Sequence, residues 1–392
     1  MTTLKDAISK YRVWYCLDCG KCASVCPITL WETRSHASPR LLIERAIQGQ
    51  IEDVMDDPLF WSCLTCKRCT ALCPSDVHFS EFLRDIRSMA QQDDRCGECT
   101  HSEMNQTLGR MMADPDLKQN RLEWLGDNLE TSDDSDTIYF VGCMPYYDPI
   151  FKSLGAEGVE IAQAAVKILN HLGVQPQVLA DERCCGHDQL WQGDVDNFQA
   201  LAKLNMETLK ASGAKRIVTT CPECARTIKM DYPEYLGNHG LDVLHLTELI
   251  AESDLDISST APNGSRVTYQ DPCRLGRHLG AYDAPRQAIA GLGYELVEMR
   301  RHAESSLCCG TTCWTSCGQV SKNIQVERLE EARATGAELL VTACQKCQIH
   351  FKCAQHDPLL GEELSIQIRD LTTLIAEKLS EQDKVQEVPL GD

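Results

Sequence analysis

The sequence predicts an α+β/α/β multidomain chain: an α-helical, cysteine-rich head followed by two repeated α/β (Rossmann-like) units. Three observations carry this expectation. Two four-cysteine runs of identical spacing lie within the first 95 residues. From Asp136 onward, short apolar strands alternate with amphipathic helices, the pattern of a mostly parallel sheet with helices packed on it. This second half also repeats itself. "GAKRIVTTCPEC" (213–224) matches "GAELLVTACQKC" (336–347), "LTELIAE" (246–252) matches "LTTLIAE" (371–377), and the "CCG" at 184–186 matches that at 308–310, at offsets of 123, 125 and 124 residues. The expected domains are 1–95, a connector over 96–136, a first repeat over 137–262 and a second over 263–392.

The 392 residues suffice for two or three domains, and 43% hydrophobic content is that of an ordinary globular protein. The 23 cysteines are not ordinary. The chain opens MTTLKDAISKYRVWY, with no apolar signal region and no twin-arginine motif, so the thiols are expected in a reducing cytoplasmic compartment. Clusters of cysteine there mean metal or redox chemistry. A net charge of −20 argues against a nucleic-acid partner. The first fifty residues run the other way, with seven Lys/Arg against four Asp/Glu, a mild bias toward an acidic partner. No run of 18 apolar residues occurs, so any link to a membrane falls to a partner subunit.

In the head, "CLDCGKCASVCP" (16–27) and "CLTCKRCTALCP" (63–74) are both C-x₂-C-x₂-C-x₃-C-P, the run that binds [4Fe–4S] cubanes. The fourth cysteine of such a run serves the other cluster. Cys16, Cys19, Cys22 and Cys73 are therefore expected to hold one cubane, and Cys63, Cys66, Cys69 and Cys26 the other. A pair of zinc sites would need only simpler spacing. "SPRLLIERAIQG" between the runs reads as a helix with Pro39 near its start. The spacing resembles the α-helical ferredoxin domains of respiratory complexes. Beyond it, the acidic "ETSDDSD" reads as an exposed linker.

In the first repeat, "TIYFVGC" is a strand running into a cysteine, "GVEIAQAAVKILNHLG" a helix with a terminal glycine, and "QPQVLAD" a second strand. A helix across 194–212 then leads into "RIVTTC". Cysteines thus fall at strand C-termini, where open α/β sheets hold ligands. Cys143, Cys184, Cys185, Cys221 and Cys224 form one set. Cys273, Cys308, Cys309, Cys344 and Cys347 form the other. Each reads C…CCG…C-x₂-C, with gaps of 40 and 35 residues in the first and 34 and 34 in the second. Adjacent cysteines are about 3.8 Å apart at Cα, too close for an ordinary disulfide. Five thiolates exceed the four that a cubane or a zinc ion takes.

These two sets resemble the CCG domains of the heterodisulfide reductase catalytic subunit. The joining of a ferredoxin domain to two CCG domains is similar to the membrane-linked form of that subunit, over about residues 11–380. The resemblance implies two non-cubane [4Fe–4S] clusters besides the two cubanes. It also implies cleavage of a disulfide between the non-cubane clusters, each taking one sulfur and one electron. His187 after the first CCG and His350 past Cys347 are candidate proton donors to the released thiolates.

Relatives use the same domains for electron transfer, for example in class II benzoyl-CoA reductase complexes, 2-hydroxyacid oxidases and thiol-coupled fumarate enzymes. Two readings therefore stay open: a disulfide-reducing oxidoreductase subunit, and a relay in a larger soluble redox complex without a substrate of its own. The implied partners are a cytochrome b-type membrane protein or flavin-containing soluble subunits. No P-loop and no dinucleotide fingerprint occurs.

Five cysteines remain: Cys96, Cys99, Cys313, Cys317 and Cys353. "RCGECTH" (95–101) is C-x₂-C-x-H, not the C-x₂-C-H of haem attachment; as a metal site it lacks a fourth ligand. Cys313 and Cys317 share a face if their stretch is helical. Cys353 carries no signal of its own.

Overall fold

The computed structural model describes residues 3–32, 38–258, 265–358 and 362–386. It divides into two compact units. One comprises Met1–Pro115, Gly186–Leu201 and Glu304–Arg328; the other comprises Asp116–Cys185, Ala202–Ala303 and Leu329–Asp392. Segments of both sequence repeats thus contribute to both units.

The first unit is mainly helical. Its opening helix, Leu4–Lys10, starts in a capping box between Thr3 and Asp6. The helix expected between the cysteine runs is Pro39–Ile47, capped by the Ser38 hydroxyl with proline at its first position. The longest helix of the head, Phe79–Gln92, buries Phe79, Phe82, Leu83, Ile86 and Ala90 on one face. It also buries two arginines. Arg87 donates to the carbonyls of Phe60 (2.7 Å), Trp61 (3.0 Å) and Cys63 (3.0 Å), and to that of Trp191 (2.9 Å). A planar five-donor fork can satisfy so many carbonyls at once, and here it fixes the backbone leading into the second cysteine run.

The second unit carries two parallel sheets. β1 (Thr137–Tyr139), β2 (Arg216–Thr219) and β3 (Asp242–His245) form one in the order β1-β2-β3. β4 (Arg266–Gln270), β5 (Glu295–Leu296), β6 (Leu339–Thr342) and β7 (Gln367–Asp370) form the other in the order β5-β4-β6-β7. The central strands β2 and β6 are short and almost wholly buried, as strands covered on both faces should be. One hydrophobic core runs through both sheets, joining Tyr139, Val166 and Val218 to Val267, Val341 and Ile375. The Gly158–His171 and Leu371–Gln386 helices pack on each other across it.

Two expectations need correction. "QPQVLAD" makes only an isolated parallel bridge, between Ile138 and Gln177, not a strand. Pro176 offers no N–H to a ladder. After Gln177 the chain runs on to Glu182, whose carboxylate accepts from the N–H groups of Val141 and Gly142 just past β1. The stretch holding Cys313 and Cys317 is a tight turn, not a helix, so their four-residue spacing gives them no common face; Cys313 is buried and Cys317 exposed.

Candidate functional site

Both cysteine runs of the head adopt one backbone. Asp18 and Thr65 share a left-handed φ (52° and 47°), as do Gly20 and Lys67 (74° and 60°), each pair 47 residues apart. These turns fold the thiols inward. Burial pushes the Cys22 thiol up to about 11, and the charges of Cys16, Cys73 and Cys19 add to it. Burial pushes Cys63 up to about 12; Cys26 and Cys66 add to it, while Arg87 opposes. Cys69 is raised by burial and then by Cys63, Cys66, Cys26 and Cys22. The charges acting on these thiols cross between the runs: Cys73 acts on Cys22, and Cys26 acts on Cys63 and Cys69. Thiolates crowded this closely need a cation among them, which fits iron–sulfur clusters. The Val77 N–H donates to Cys73 Sγ at 3.4 Å, the kind of outer contact that stabilises a bound thiolate.

The first five-cysteine set lies wholly in the second unit. Cys143 follows β1, Cys221 follows β2, and Cys224 occupies the first turn of the Pro222–Arg226 helix. Cys185 hydrogen-bonds the thiols of Cys184 and Cys224, and Cys224 also bonds Cys221; the Cys184 contact and burial hold Cys185 well above the usual thiol range, against Cys224, while Cys185, Cys221 and burial hold Cys224 well above it. Gly142 has a φ of +69°, and a Cβ there would sit 2.8 Å from Cys224 Sγ, so this position requires glycine on both counts. The donor set and the close backbone suit a bulky sulfur-ligated cofactor.

Polar residues that the sequence did not single out lock this set. Glu182 accepts from the N–H groups of Val141 (3.1 Å) and Gly142 (2.7 Å), just before Cys143. Arg121 pairs with Glu182 and donates to the Gly142 carbonyl at 2.6 Å. Burial pushes the Glu182 carboxyl up to about 7, against Arg121 and the two N–H groups, which pull it down. Asn205 donates to the Cys184 carbonyl (3.0 Å) and Tyr232 to the Cys185 carbonyl (3.1 Å), while Asn205 also donates to the Tyr232 hydroxyl (3.0 Å). The carbonyls of both paired cysteines are thus held. No periodicity or motif marks these four residues, because each acts on a backbone distant in sequence.

Of the second set, Cys273, Cys344 and Cys347 lie in the second unit, whereas Cys308 and Cys309 lie in the first. Cys273 precedes a π-helical turn, Arg274–His278, and Cys344 precedes the Gln345–Gln355 helix that carries Cys347. The C-x₂-C turns of the two repeats meet within the second unit: Lys346, between Cys344 and Cys347, pairs with Glu223, between Cys221 and Cys224, at 2.6 Å. His245 bridges the same place from β3, bonding the carbonyls of Thr220 (3.1 Å) and Ala343; burial lowers its pKa to about 4, so it is neutral. The repeat-equivalent residue, Asp370 at the end of β7, is pushed by burial up to about 7. In the first unit, Cys308 and Cys309 are buried, and Gly310 (φ +88°) backs onto the Ser321 carbonyl so closely that a Cβ would lie 2.7 Å from it.

Both candidate proton donors are buried. His187 opens the helix after Gly186 and stacks on Trp191 at 6.0 Å between ring centroids. His350 lies one helical turn past Cys347. Among the described residues no helix is long and apolar enough to cross a membrane.

Comparison with known proteins matches the 4Fe-4S dicluster domain to residues 12–77 and the cysteine-rich CCG domain to residues 137–229 and 267–352. The chain is 32% identical over 273 residues to one subunit of the dihydromethanophenazine:CoB–CoM heterodisulfide reductase of Methanosarcina barkeri, covering 67% of this chain and 63% of that subunit. It is 26% identical over 373 residues to one subunit of the fumarate reductase (CoM/CoB) of Methanothermobacter marburgensis, covering 91% of this chain and 71% of that one. It is 31% identical over 222 residues to an EtfAB:quinone oxidoreductase of Syntrophomonas wolfei, covering 54% of this chain and 30% of that protein. The dicluster head and paired cysteine-rich domains define an iron–sulfur oxidoreductase. More particularly, the chain carries two CCG cysteine-rich domains behind a 4Fe-4S dicluster domain and is related to these heterodisulfide reductase and fumarate reductase subunits; it spans less than two thirds of the former's length.

Proposed function

We propose that this chain is the iron–sulfur subunit of a disulfide reductase of the heterodisulfide reductase type. In this reading Cys16, Cys19, Cys22 and Cys73 hold one cubane, and Cys26, Cys63, Cys66 and Cys69 the other. Cys143, Cys184, Cys185, Cys221 and Cys224 hold one non-cubane cluster; on sequence grounds, Cys273, Cys308, Cys309, Cys344 and Cys347 hold the second. The cysteines at strand ends are those expected of a Rossmann-like repeat. The clusters, when bound, supply one-electron transfer.

The chain's own residues supply rigidity and protons. Glu182, Arg121, Asn205 and Tyr232 hold the first set's backbone. Reducing a disulfide consumes two electrons and two protons, yielding two thiols. His187 and His350 would deliver those protons. The observation that carries the proposal is the completeness of both five-cysteine sets. The meeting of the two C-x₂-C turns through the Glu223–Lys346 pair supports it.

The relay reading is favoured by a different observation. Trp14, Tyr15 and Leu17, beside Cys16, are 53%, 63% and 68% exposed, an apolar patch at the head that suits docking of a redox partner. The two readings separate in one experiment. Anaerobically purified protein carrying about sixteen irons per chain, four for each cluster, is reduced with a viologen dye and offered a panel of thiol disulfides. Reoxidation by a disulfide, lost in Cys309→Ala together with about four irons, is the expected result. Full activity and unchanged iron in that variant reject the ligand assignment. Reoxidation by a flavin or haem partner alone, with every disulfide inert, selects the relay.

A further inference from the structure

Of the five cysteines outside the cluster sets, four lie in the first unit, on two loops that pair with each other. Cys96 and Cys99 lie on the loop after the Phe79–Gln92 helix; Cys313 and Cys317 lie on the loop after Cys309, more than two hundred residues on. The two loops pair as antiparallel chain. Cys99 bridges Thr315, the Thr100 N–H donates to the Trp314 carbonyl at 2.9 Å, and the Ser316 N–H donates to the Glu98 carbonyl at 2.8 Å. The contact is tight: a Cβ on Gly97 would lie 3.2 Å from the Trp61 ring and 3.7 Å from Thr315 Cβ.

Each loop presents a C-x₂₋₄-C pair, C-x₂-C from Cys96 and Cys99 and C-x₃-C from Cys313 and Cys317. Paired short-spaced cysteines on facing turns are the ligand pattern of structural zinc. The second turn is bent in a way that cysteine and tryptophan do not favour by themselves. Cys313 and Trp314 have φ of +52° and +54°, and the Thr315 N–H donates back to the Thr312 carbonyl at 3.1 Å. Such a pair of left-handed residues normally calls for Asn-Gly. The bend turns the Cys313 side chain into the interior. Threonine hydroxyls attend both sulfurs: Thr312 Oγ1 is 3.4 Å from Cys313 Sγ, and Thr311 Oγ1 donates toward Cys317 Sγ at 3.8 Å. Donors of this kind accompany metal-bound thiolates.

We propose that Cys96, Cys99, Cys313 and Cys317 form a tetrathiolate site for one zinc ion. The ion staples the connector to the segment that follows the second CCG pair. His101 packs edge-on against Trp314, with ring centroids 5.5 Å apart, and stays outside the ligand set. No three of the sulfurs lie within 4.8 Å of one another among the described residues, so binding calls for side-chain adjustment, for which the exposed Cys96 and Cys317 have room.

The test is metal analysis of the anaerobically purified full-length protein. Wild type is expected to hold about one zinc per chain after desalting, with a zinc-edge X-ray absorption shell of four sulfurs at about 2.3 Å. Cys99→Ser and Cys317→Ser should each lose that zinc while iron stays constant; Cys353→Ser should keep both. If a serine variant fails to fold, the absorption shell of wild type alone still decides. Absence of zinc, zinc retained in both variants, a mixed sulfur–nitrogen shell, iron lost in place of zinc, or a disulfide joining the two loops would each overturn the proposal. Because the readout is zinc, its failure leaves the cluster assignment and the disulfide chemistry untouched.

Discussion

The two cysteine-rich repeats spell the same motif but build it differently. The first keeps Cys143, Cys184, Cys185, Cys221 and Cys224 in one compact unit, where a buried clamp of Glu182, Arg121, Asn205 and Tyr232 holds the backbone. The second keeps Cys273, Cys344 and Cys347 there, but its CCG pair belongs to the unit that carries the dicluster head. At equivalent strand ends the first has a neutral histidine, His245, and the second a carboxyl, Asp370. A repeated cysteine pattern thus marks the candidate ligands in each copy. What surrounds them is set separately in each copy.

The largest test of this comparison is iron content. Cys185→Ser and Cys309→Ser should each lose about four irons per chain, one cluster apiece, as counted by metal analysis of the anaerobic protein. A loss in the first variant alone would mean that only the self-contained repeat assembles a cluster.

Next in size is the pair joining the repeats. Glu223 and Lys346 are nearly buried, so Lys346→Met should destabilise by about 3–5 kcal/mol, because it strands the carboxylate. Adding Glu223→Leu should recover most of that loss in thermal melts. A single variant that melts like wild type would show that the ion pair contributes nothing to holding the C-x₂-C turns together.

Smaller still are the glycines. Gly142→Ala, at left-handed φ and against Cys224 Sγ, and Gly310→Ala, against the Ser321 carbonyl, should each cost about 1–3 kcal/mol. The first should loosen only the first set and the second only the CCG pair at 308–309, which cluster-resolved spectroscopy of the two variants would distinguish.

The smallest effect separates His245 from Asp370 by pH. The Asp370 pKa is raised from 3.8 to about 7, so the folded chain holds a proton that the unfolded chain releases. Its contribution is complete below the unfolded value and is lost as pH rises through about 7. The His245 pKa is lowered from 6.5 to about 4, so its contribution is present above the unfolded value and lost as pH falls toward 4. Melting temperatures followed from acid to neutral pH should lose the alkaline-side decline in Asp370→Asn and the acid-side decline in His245→Gln. The same slope in both variants would remove the distinction.

Much of the fold was legible from local pattern. The Ser38-capped helix, the helices at Gly158–His171 and Val195–Ala211, and the strands ending before Cys143 and Cys221 all stand where periodicity and turn residues indicate. Capping, apolar spacing and β-branched runs act over a few residues, so they are written locally. "QPQVLAD" failed as a strand because an apolar run says nothing about whether a partner ladder is available, and Pro176 removed one donor from the start.

The sequence by itself determined the chemistry: the cysteine runs, the doubled five-cysteine pattern and the absence of nucleotide motifs. Thiol spacing is a local property, and iron–sulfur ligation reads it directly. Only the tertiary structure decided that Glu182 and Arg121 lock the strand end before Cys143, that Glu223 faces Lys346, and that the 96–99 loop meets the 313–317 loop. Each of those contacts joins residues far apart in the chain. Such a pairing is selected by the energy of burying the whole, since a buried carboxylate is tolerated only where the fold brings it a partner.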